Sequence, residues 1–299
     1  MIHPNAIAVT NGKGGVGKTS LTAHIAGLAA ISGWRVLAVD LDPQGNLARD
    51  LGYMDRSDGG ASLFAASFTR ADLEPVWDVR RGLDVIPGGP DTRRLSDQLH
   101  SESMRSGATA LNRLTEVLGP MSAKYDLILF DLPPGEAIVQ QAAMRCAHWL
   151  ILPTVGDSAS NDGIGAVYRQ YLAAREANPD LDVLGVVVSF VQSGARAMLR
   201  EITAELEDML QNRVTVFSPP IRLAKRAALD CRAKGLLAHE YEAAKIEALP
   251  WYKAKLLGLP PERFAQNASQ LAEDYQVLVK AILGAAIERS ESTQKAGIR

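Results

Sequence analysis

The stretch that decides the fold is residues 12–20, which read GKGGVGKTS and follow the apolar run at residues 6–9. The spacing satisfies the pattern G-x-x-x-x-G-K-[ST], in which the glycines allow backbone N–H groups to close around phosphate oxygens. The helix after such a loop offers its positive N-terminus to the same phosphates. In this pattern Lys18 reaches the β- and γ-phosphates and Thr19 holds Mg²⁺. The stretch therefore predicts a loop that binds a nucleotide with its metal.

The segments around this loop have the patterns of a strand, a helix and a second strand. Residues 6–9 predict a short buried strand, and residues 21–31 predict a helix with an apolar face that ends near Gly33. Residues 35–40, RVLAVD, predict the next strand. This order is that of a parallel βαβ unit, which is the setting that a phosphate loop requires.

The alternation of strands and helices continues along the chain. Apolar runs bounded by turn residues predict strands at 6–9, 36–39, 83–86, 127–130, 150–152, 183–188 and 214–217. Helical patterns between them lie at 62–67, 95–118, 138–146, 164–177 and 199–210. The alternation favours an α/β fold with a doubly wound, mostly parallel sheet flanked by helices. Ligands in such sheets bind beyond the carboxyl ends of the strands.

The C-terminal quarter is harder to interpret. Residues 250–261 (PWYKAKLLGLPP) are irregular and have no assignment, and residues 264–287 close the chain with a long helical pattern. The polar tail at 289–299 is expected to be disordered. Because the sequence shows neither an internal repeat nor a linker, residues 1–288 are interpreted as a single domain.

The composition limits the class of protein. The chain has 299 residues, of which 47% are hydrophobic, and its formal net charge is −2, so it can bury a large core. A charge of this size does not attract nucleic acid as a whole, although it leaves a local basic patch open. Cys146 and Cys231 form neither a disulfide framework nor a metal-binding spacing, which favours the cytoplasm. No apolar stretch reaches the roughly 18–20 residues of a membrane span.

Three aspartates at predicted strand ends are candidates for holding magnesium and water. Asp131 follows the apolar run 127–130, in the manner of a Walker B acid, and can bind the water shell of the metal. Asp40 and Asp42 end the second strand, and alternation along an extended segment places both on the side of the phosphate loop. The LPPG turn at 132–135 either moves when the γ-phosphate is lost or simply ends a strand.

These motifs resemble those of the ParA/MinD family, the P-loop ATPases with a deviant Walker A motif, and more closely those of ParA-type partition ATPases. The resemblance covers residues 5–245 and 264–284, and it rests on KGGVGKT at 13–19, DLDPQGN at 40–46 and DLPP at 131–134. It implies the P-loop NTPase fold of that family, ATP and Mg²⁺ as cofactors, and hydrolysis of ATP to ADP and phosphate.

The resemblance also implies roles for individual residues. Lys13 is similar to the signature lysine that reaches across a dimer to the partner's nucleotide, and Asp42 to the residue that orients the hydrolytic water. With Lys18 they are the expected catalytic residues, and Asp157 stands where many relatives carry a glutamate near the dimer interface. The expected metal-site residues are Thr19, Asp40 and Asp131. The expected nucleotide contacts are Gly12, Lys13, Gly14, Gly15, Val16, Gly17, Lys18, Thr19, Ser20 and Pro220.

ParA-type relatives act as timed dimers on DNA, and the resemblance implies the same partners here. These are a second copy of the chain when ATP is bound, nonspecific DNA, and a ParB-type adaptor protein that stimulates hydrolysis and thereby releases the DNA. The expected location is cytoplasmic and nucleoid-associated, without stable membrane association.

Contact with DNA phosphates requires basic side chains on one face of the protein. The candidates are Arg196 and Arg200, four residues apart on a predicted helix, together with Arg222, Lys225, Arg226, Arg232 and Lys234 nearer the C-terminus. Helical spacing predicts that Arg222, Lys225 and Arg226 share one face. A basic face that is only solvated is the alternative interpretation.

Two other functions remain as alternatives. A MinD-like membrane ATPase needs a C-terminal amphipathic helix with a cationic face. The pattern at 264–287 has an apolar stripe through Leu271, Tyr275 and Leu278, but its other face mixes acids with bases, so a packing helix is expected. A metabolic P-loop enzyme is the second alternative, because it would share the phosphate loop.

Overall fold

The fold is a single sheet with helices on both faces, seen in a computed structural model that describes residues 2–69, 71–211, 213–258, 260 and 262–297. Eight strands lie within these ranges: β1 (Ala6–Val9), β2 (Val36–Asp40), β3 (Val76–Arg80), β4 (Leu83–Ile86), β5 (Leu127–Asp131), β6 (Trp149–Thr154), β7 (Asp182–Val188) and β8 (Thr215–Phe217). Their spatial order is β3-β4-β2-β5-β1-β6-β7-β8. Every neighbouring pair is parallel except β3 and β4, which are antiparallel.

Helices cover both faces of this sheet. They are α1 (Lys18–Ile31), α2 (Leu47–Asp50), α3 (Ala61–Thr69), α4 (Pro90–Ser106), α5 (Arg113–Ser122), α6 (Ala137–Cys146), α7 (Ser158–Arg175), α8 (Arg196–Met209), α9 (Lys225–Lys234), α10 (Ala238–Glu247), α11 (Trp251–Leu256) and α12 (Ala268–Gly297). Successive strand residues point to opposite faces, so Ile7 and Val9 lie in the core beneath α1, α9, α10 and α12, while Ala6 and Ala8 lie in the core beneath α3 to α8.

The predicted doubly wound, mostly parallel sheet is confirmed. The seven predicted strands are present with end points shifted by at most two residues. The sequence missed β3, the antiparallel edge strand, because its five residues are half-buried or exposed and carry no continuous apolar run.

One long predicted helix is in fact two. The pattern at 95–118 predicted a single helix, whereas α4 ends at Ser106 and α5 begins at Arg113 after a 3₁₀ segment, Gly107–Asn112. Gly107 adopts a φ of 65°, which glycine reaches without steric cost and which ends an α-helix. The apolar periodicity at 95–118 therefore runs through two helices and the 3₁₀ segment between them rather than through one helix.

The C-terminal part departs most from expectation. Helices α9 and α10 were not predicted, and α11 lies inside the segment 250–261, which had no assignment. The tail expected to be disordered from residue 289 is instead helical as far as Gly297; six of the ten residues from Glu288 to Gly297 are good helix formers, and none is proline. Residues 298–299 of that expected tail lie outside the described residues.

The strand order brings three strand ends together. β1 lies next to β5, and β5 next to β2, so Val9 and Asp40 are both register partners of Asp131. The phosphate loop leaves the sheet at the end of β1, beside the end of β5. In the described part of the chain, no helix combines the length and the apolar character needed to cross a bilayer.

Candidate nucleotide-binding site

The loop between β1 and α1 has the backbone of an anion cradle. Gly15 and Gly17 adopt φ values of 77° and 90°, a region that a residue with a Cβ rarely enters. A Cβ on Gly17 would also lie 3.2 Å from the ring of Phe190. Helix α1 begins at Lys18 without a side-chain cap at its N-terminus. The N–H groups of its first turn are therefore available to a phosphate group.

Lys18 is held over this loop by the loop itself. Its buried ammonium group donates to the carbonyl of Lys13 at 2.9 Å and to that of Asn11 at 3.3 Å. Burial lowers the pKa of Lys18, while the nearby carboxylates of Asp131 and Asp42 act in the opposite direction. The side chain is thus poised beside the position where a bound phosphate would lie.

Asp131 is a buried acid with unused hydrogen-bonding capacity. Neither carboxylate oxygen has a hydrogen-bond partner among the described residues. Burial raises the pKa of Asp131 to about 7, against the opposing influence of Thr19 and Lys18. Buried polar atoms are normally paired, so an unpaired carboxylate beside Thr19 fits a site that a hydrated cation would complete.

Asp40 lies beside Asp131 at the end of the neighbouring strand, and both residues are buried just behind the cavity wall. The carboxylate of Asp40 accepts hydrogen bonds from the backbone N–H of Asp42 at 2.9 Å and of Leu47 at 3.3 Å. β2 ends at Asp40, and the chain continues through Asp42 before it turns at residues 43–44. Burial and the adjacent Asp131 raise the pKa of Asp40 well above its usual value.

Asp42 is placed to meet a ligand. It is 9% exposed, and its Oδ1 accepts the backbone N–H of Gln44 at 2.8 Å. Asp42 and Gln44 both line the cavity that the phosphate loop opens into. Of the two aspartates at the end of β2, the second therefore faces the nucleotide position and the first orients its backbone.

The cavity beside the loop has a volume of about 480 Å³ and extends from the phosphate loop to helix α9. Its loop side is formed by Gly14, Gly15, Gly17, Lys18, Thr19 and Ser20, and Pro134 of the LPPG turn closes one edge. Its far side is formed by Lys225, Ala228, Leu229, Cys231, Arg232, Leu236 and Leu237. The cavity thus has a polar end at the phosphate loop and a more apolar end at α9, as an adenine nucleotide requires.

Lys13 is turned away from this cavity. Its ammonium forms an ion pair with Asp157 at 2.6 Å, with side-chain exposures of 31% and 52%. Lys13 is not among the described residues that line the cavity. The second lysine of the loop therefore has a different environment from Lys18, although only five residues separate them.

One placement differs from the sequence-based expectation, and three more of the expected nucleotide contacts lie away from the cavity surface. Gly12, Val16 and Pro220 are not among the described residues that line the cavity. Arg222 does not share a helical face with Lys225 and Arg226, because it lies outside α9 in an extended segment bridged to Val191. The helical spacing on which that prediction relied does not apply there.

The guanidinium of Arg222 is instead committed to helix α12. Its Nε and Nη2 atoms each donate to Asp274 at 2.6 Å, and Nη1 donates to Gln270 at 2.9 Å. Asp274 is 7% exposed at its side chain. A bidentate pair of this kind fixes the extended segment against α12 and leaves the guanidinium little freedom to bind another anion.

The other basic candidates are more accessible. Arg196 and Arg200 are exposed on the first turns of α8. Arg226 is 75% exposed and forms a surface pair with Asp230, and Lys225 stands at the mouth of the cavity. These four side chains lie on two helices, and of the three residues expected to share one helical face only Lys225 and Arg226 lie on the same helix. The other two candidates on α9, Arg232 and Lys234, are paired with Asp50 and Glu262.

Sequence reasoning missed four residues around the cavity: His24, Asp50, Phe190 and Arg232. Phe190 follows β7 and packs its ring against Gly17. His24 stands within an ordinary helical pattern, Asp50 lies where no helix was predicted, and Arg232 lies in a helix that was not predicted. No local spacing in the sequence distinguishes them, because each has at least one hydrogen-bond partner 30 or more residues away.

Together, the glycine loop, the capless start of α1, the buried lysine and the acids at two strand ends define a P-loop nucleotide-binding protein of the doubly wound class. Among the described residues, no three His, Cys, Asp or Glu side chains cluster to hold a metal unaided. This is the expected situation where a hydroxyl group, water and nucleotide phosphates complete the coordination.

Comparison with known proteins identifies the family. A family model described as an AAA domain matches residues 4–183. The chromosome-partitioning ATPase Soj of Thermus thermophilus is 30% identical over 73% of this chain and 83% of Soj. The chain belongs to the ParA/MinD family of P-loop ATPases.

Solved structures show the same fold. McdA from Cyanothece has a TM-score of 0.70 at 18% identity, covering 93% of this chain and 99% of McdA. The ParA of pNOB8 bound to nonspecific DNA has a TM-score of 0.56 at 21% identity, covering 97% and 99%. Cobyrinic acid a,c-diamide synthase of Mycobacterium smegmatis, with ADP and magnesium, has a TM-score of 0.64 at 25% identity, covering 88% and 100%.

Proposed function

We propose that this chain is a DNA partition ATPase whose ATP-bound dimer binds DNA without sequence preference and releases it after hydrolysis. The observation that carries the proposal is the position of Lys13. It belongs to the phosphate loop, yet its ammonium points out of its own cavity to Asp157. A cation in that position is suited to a nucleotide bound by a second subunit, which links dimerisation to the presence of ATP.

The chemistry of hydrolysis is assigned to residues at the cavity and directly behind its wall. Lys18 and the N–H groups of α1 would hold the phosphates, and Thr19, with the buried Asp40 and Asp131, would hold magnesium with its water. Magnesium, when bound, neutralises charge on the β- and γ-phosphates. Asp42, at the wall of the cavity, would orient the attacking water, and Asp40 would fix the backbone of Asp42.

Formation of the dimer would require Lys13 to exchange one anion for another. Its present ion pair with Asp157 is about one-third to one-half exposed, and pairs of this kind are worth ~1 kcal/mol or less. A partner's phosphate carries more charge than one carboxylate. Exchange is therefore favoured when a nucleotide-loaded subunit approaches, and Asp157 would be released at the interface.

DNA contact is proposed for the exposed cations of α8 and α9: Arg196, Arg200, Lys225 and Arg226. Exposed guanidinium and ammonium groups bind phosphates without reading bases, and such binding weakens with salt. Arg222 is not included in the proposed DNA surface, because its guanidinium already donates two hydrogen bonds to Asp274. The relatives' names and the solved ParA–DNA complex support this function for the fold. A ParB-type adaptor is the proposed activator of hydrolysis.

The packing of α12 disfavours the MinD-like alternative. Leu271, Tyr275, Leu278 and Ile282, which form its apolar stripe, are at most 6% exposed and lie in the core against the sheet. This confirms the expected packing helix. A stripe that is already buried in the protein does not insert into a bilayer.

Co-sedimentation tests the proposal against its alternatives. The full-length chain is mixed with nonspecific DNA or with anionic liposomes, each with ATP, ADP or no nucleotide. The proposal predicts retention on DNA with ATP and its loss with ADP or at high salt. Retention on liposomes would support a membrane ATPase, and retention on neither would favour a metabolic enzyme.

A further inference from the structure

A second set of contacts surrounds Ser20, the residue after the magnesium-binding threonine, and it involves residues with no role so far. Asp50, at the end of α2, is only 6% exposed and lines the nucleotide cavity. Its Oδ2 accepts the hydroxyl of Ser20 at 2.9 Å, and its Oδ1 accepts the Nε of Arg232 at 2.6 Å. One buried carboxylate thus joins the phosphate loop to helix α9.

The backbone of Ser20 is held as well. The Nε2 atom of His24 accepts the backbone N–H of Ala238 at 3.1 Å, so this ring nitrogen carries no proton. The proton is therefore on Nδ1, which donates to the carbonyl of Ser20 at 2.6 Å. The ring of His24 stacks on Tyr275 at 3.5 Å. The first turn of α1 is consequently tied to α10 and α12 through His24, and to α9 through Asp50.

The charge on Asp50 poses a problem for a site that must accept phosphates. A buried carboxylate at the wall of the cavity would repel a nucleotide carrying several negative charges. Arg232 removes this repulsion, because its guanidinium is paired with the same carboxylate and faces the same cavity. No other described cation forms an ion pair with Asp50, since the remaining pairs join different residues.

We infer that Asp50 and Arg232 form a positioning pair that holds helix α9 against the phosphate loop through Ser20 and thereby sets the affinity for nucleotide. Arg232 acts by neutralising Asp50, and Asp50 acts by holding the hydroxyl of Ser20 at the start of α1. This inference rests on the proposed binding of nucleotide to the same cavity. The pair would couple the phosphate loop to helix α9, which begins at Lys225, a candidate DNA-binding residue.

The Asp50–Arg232 pair predicts that loss of the arginine alone weakens ADP binding, whereas loss of both charges largely restores it. Arg232→Gln leaves Asp50 as an uncompensated buried anion near the phosphates, so the Kd for ADP with Mg²⁺ is expected to rise about tenfold. Asp50→Asn removes that anion. The double variant Asp50→Asn/Arg232→Gln should therefore bind ADP within about threefold of the wild type, and more tightly than Arg232→Gln alone.

Isothermal titration of the full-length chain with ADP and Mg²⁺ measures this cycle, with the melting temperature of each variant recorded in parallel. Arg232→Lys keeps the charge and should retain most of the affinity. Lys234→Gln is the matched control: it removes one surface charge from the same helix, outside the cavity, and should leave Kd unchanged. A general loss of structure would weaken binding in proportion to the loss in Tm, whereas the inference requires the double variant to recover.

The inference is overturned by an unchanged Kd in Arg232→Gln, or by a double variant that binds no better than Arg232→Gln. Either result with normal ADP binding by the wild type leaves the proposed ATPase intact. If the wild type itself binds no nucleotide, both the proposed function and this inference fail, so the two failures are distinguishable.

Discussion

The phosphate-loop edge of the sheet and the C-terminal layer around α9 and α12 are built by different kinds of contact. At the loop edge, one short motif and the register of three neighbouring strands bring Lys18, Asp40 and Asp131 together. In the C-terminal layer, ion pairs join residues distant in sequence, as between Arg222 and Asp274 or between Asp50 and Arg232. The chemistry of the site is therefore encoded locally, whereas its connection to the rest of the molecule is not.

The largest expected effect lies at the loop edge. Asp42→Ala should reduce the steady-state rate of ATP hydrolysis by about 1000-fold, because removal of a group that orients the attacking water costs 10²- to 10⁴-fold. Binding of ATP should change little. Phosphate release measured with Mg²⁺ and DNA checks this, with the exposed Asp55→Ala as control. Hydrolysis at the wild-type rate would remove Asp42 from its proposed role.

Substitution of the two loop lysines should change the affinity for ADP to very different extents. Lys18→Ala is expected to weaken ADP binding by about 100-fold, because a buried charge-assisted contact to phosphate is lost. Lys13→Ala should leave the affinity of the isolated subunit within about threefold, because Lys13 faces Asp157 rather than the cavity. Titration calorimetry of both variants is the measurement. Equal losses of ADP affinity in the two variants would contradict the different roles proposed for Lys18 and Lys13.

Two arginines that the sequence placed on one face should behave differently in unfolding experiments. Arg222→Ala breaks a bidentate pair and leaves Asp274 buried without its partner, so the free energy of unfolding should fall by about 2 kcal/mol. Urea denaturation followed by circular dichroism measures this loss. A change below the error of that measurement would mean that the contact with α12 contributes nothing.

The smallest effect is expected for the other arginine of that comparison. Arg226 is 75% exposed, and its pair with Asp230 belongs to the surface class, so Arg226→Ala should alter the free energy of unfolding by no more than about 0.5 kcal/mol. The same variant should weaken retention on DNA in the presence of ATP. A filter-binding titration at two salt concentrations tests that, and unchanged retention would remove Arg226 from the DNA surface.

The sequence alone predicted the features that depend on local pattern. The glycine spacing at 12–20 and the apolar strands that end in Asp40 and Asp131 each have a signature within a few residues, and the structure contains all of them. Family resemblance added the assignment of Asp42, which lines the cavity as that role requires.

The remainder depends on tertiary contacts that local patterns do not encode. Strand β3 is half exposed, and five of the ten residues of helix α9 are charged, so neither carries a clear apolar periodicity. The positions of Arg222 and Arg232 are decided by acids 52 and 182 residues away. A basic residue that the sequence offers as a DNA contact can be paired with an acidic residue in the folded chain. Arg222 and Arg232 are paired in this way with the buried Asp274 and Asp50.

The most direct test of the central claim, that the phosphate loop is half of a site shared by two subunits, is sedimentation velocity of the Asp42→Ala variant. With ATP and Mg²⁺, and hydrolysis blocked, the account predicts a species of twice the mass of one chain. It predicts a single-chain mass with ADP, and also with ATP when Lys13→Ala is added. A monomer in all three conditions, or a dimer that forms equally well without Lys13, would contradict it.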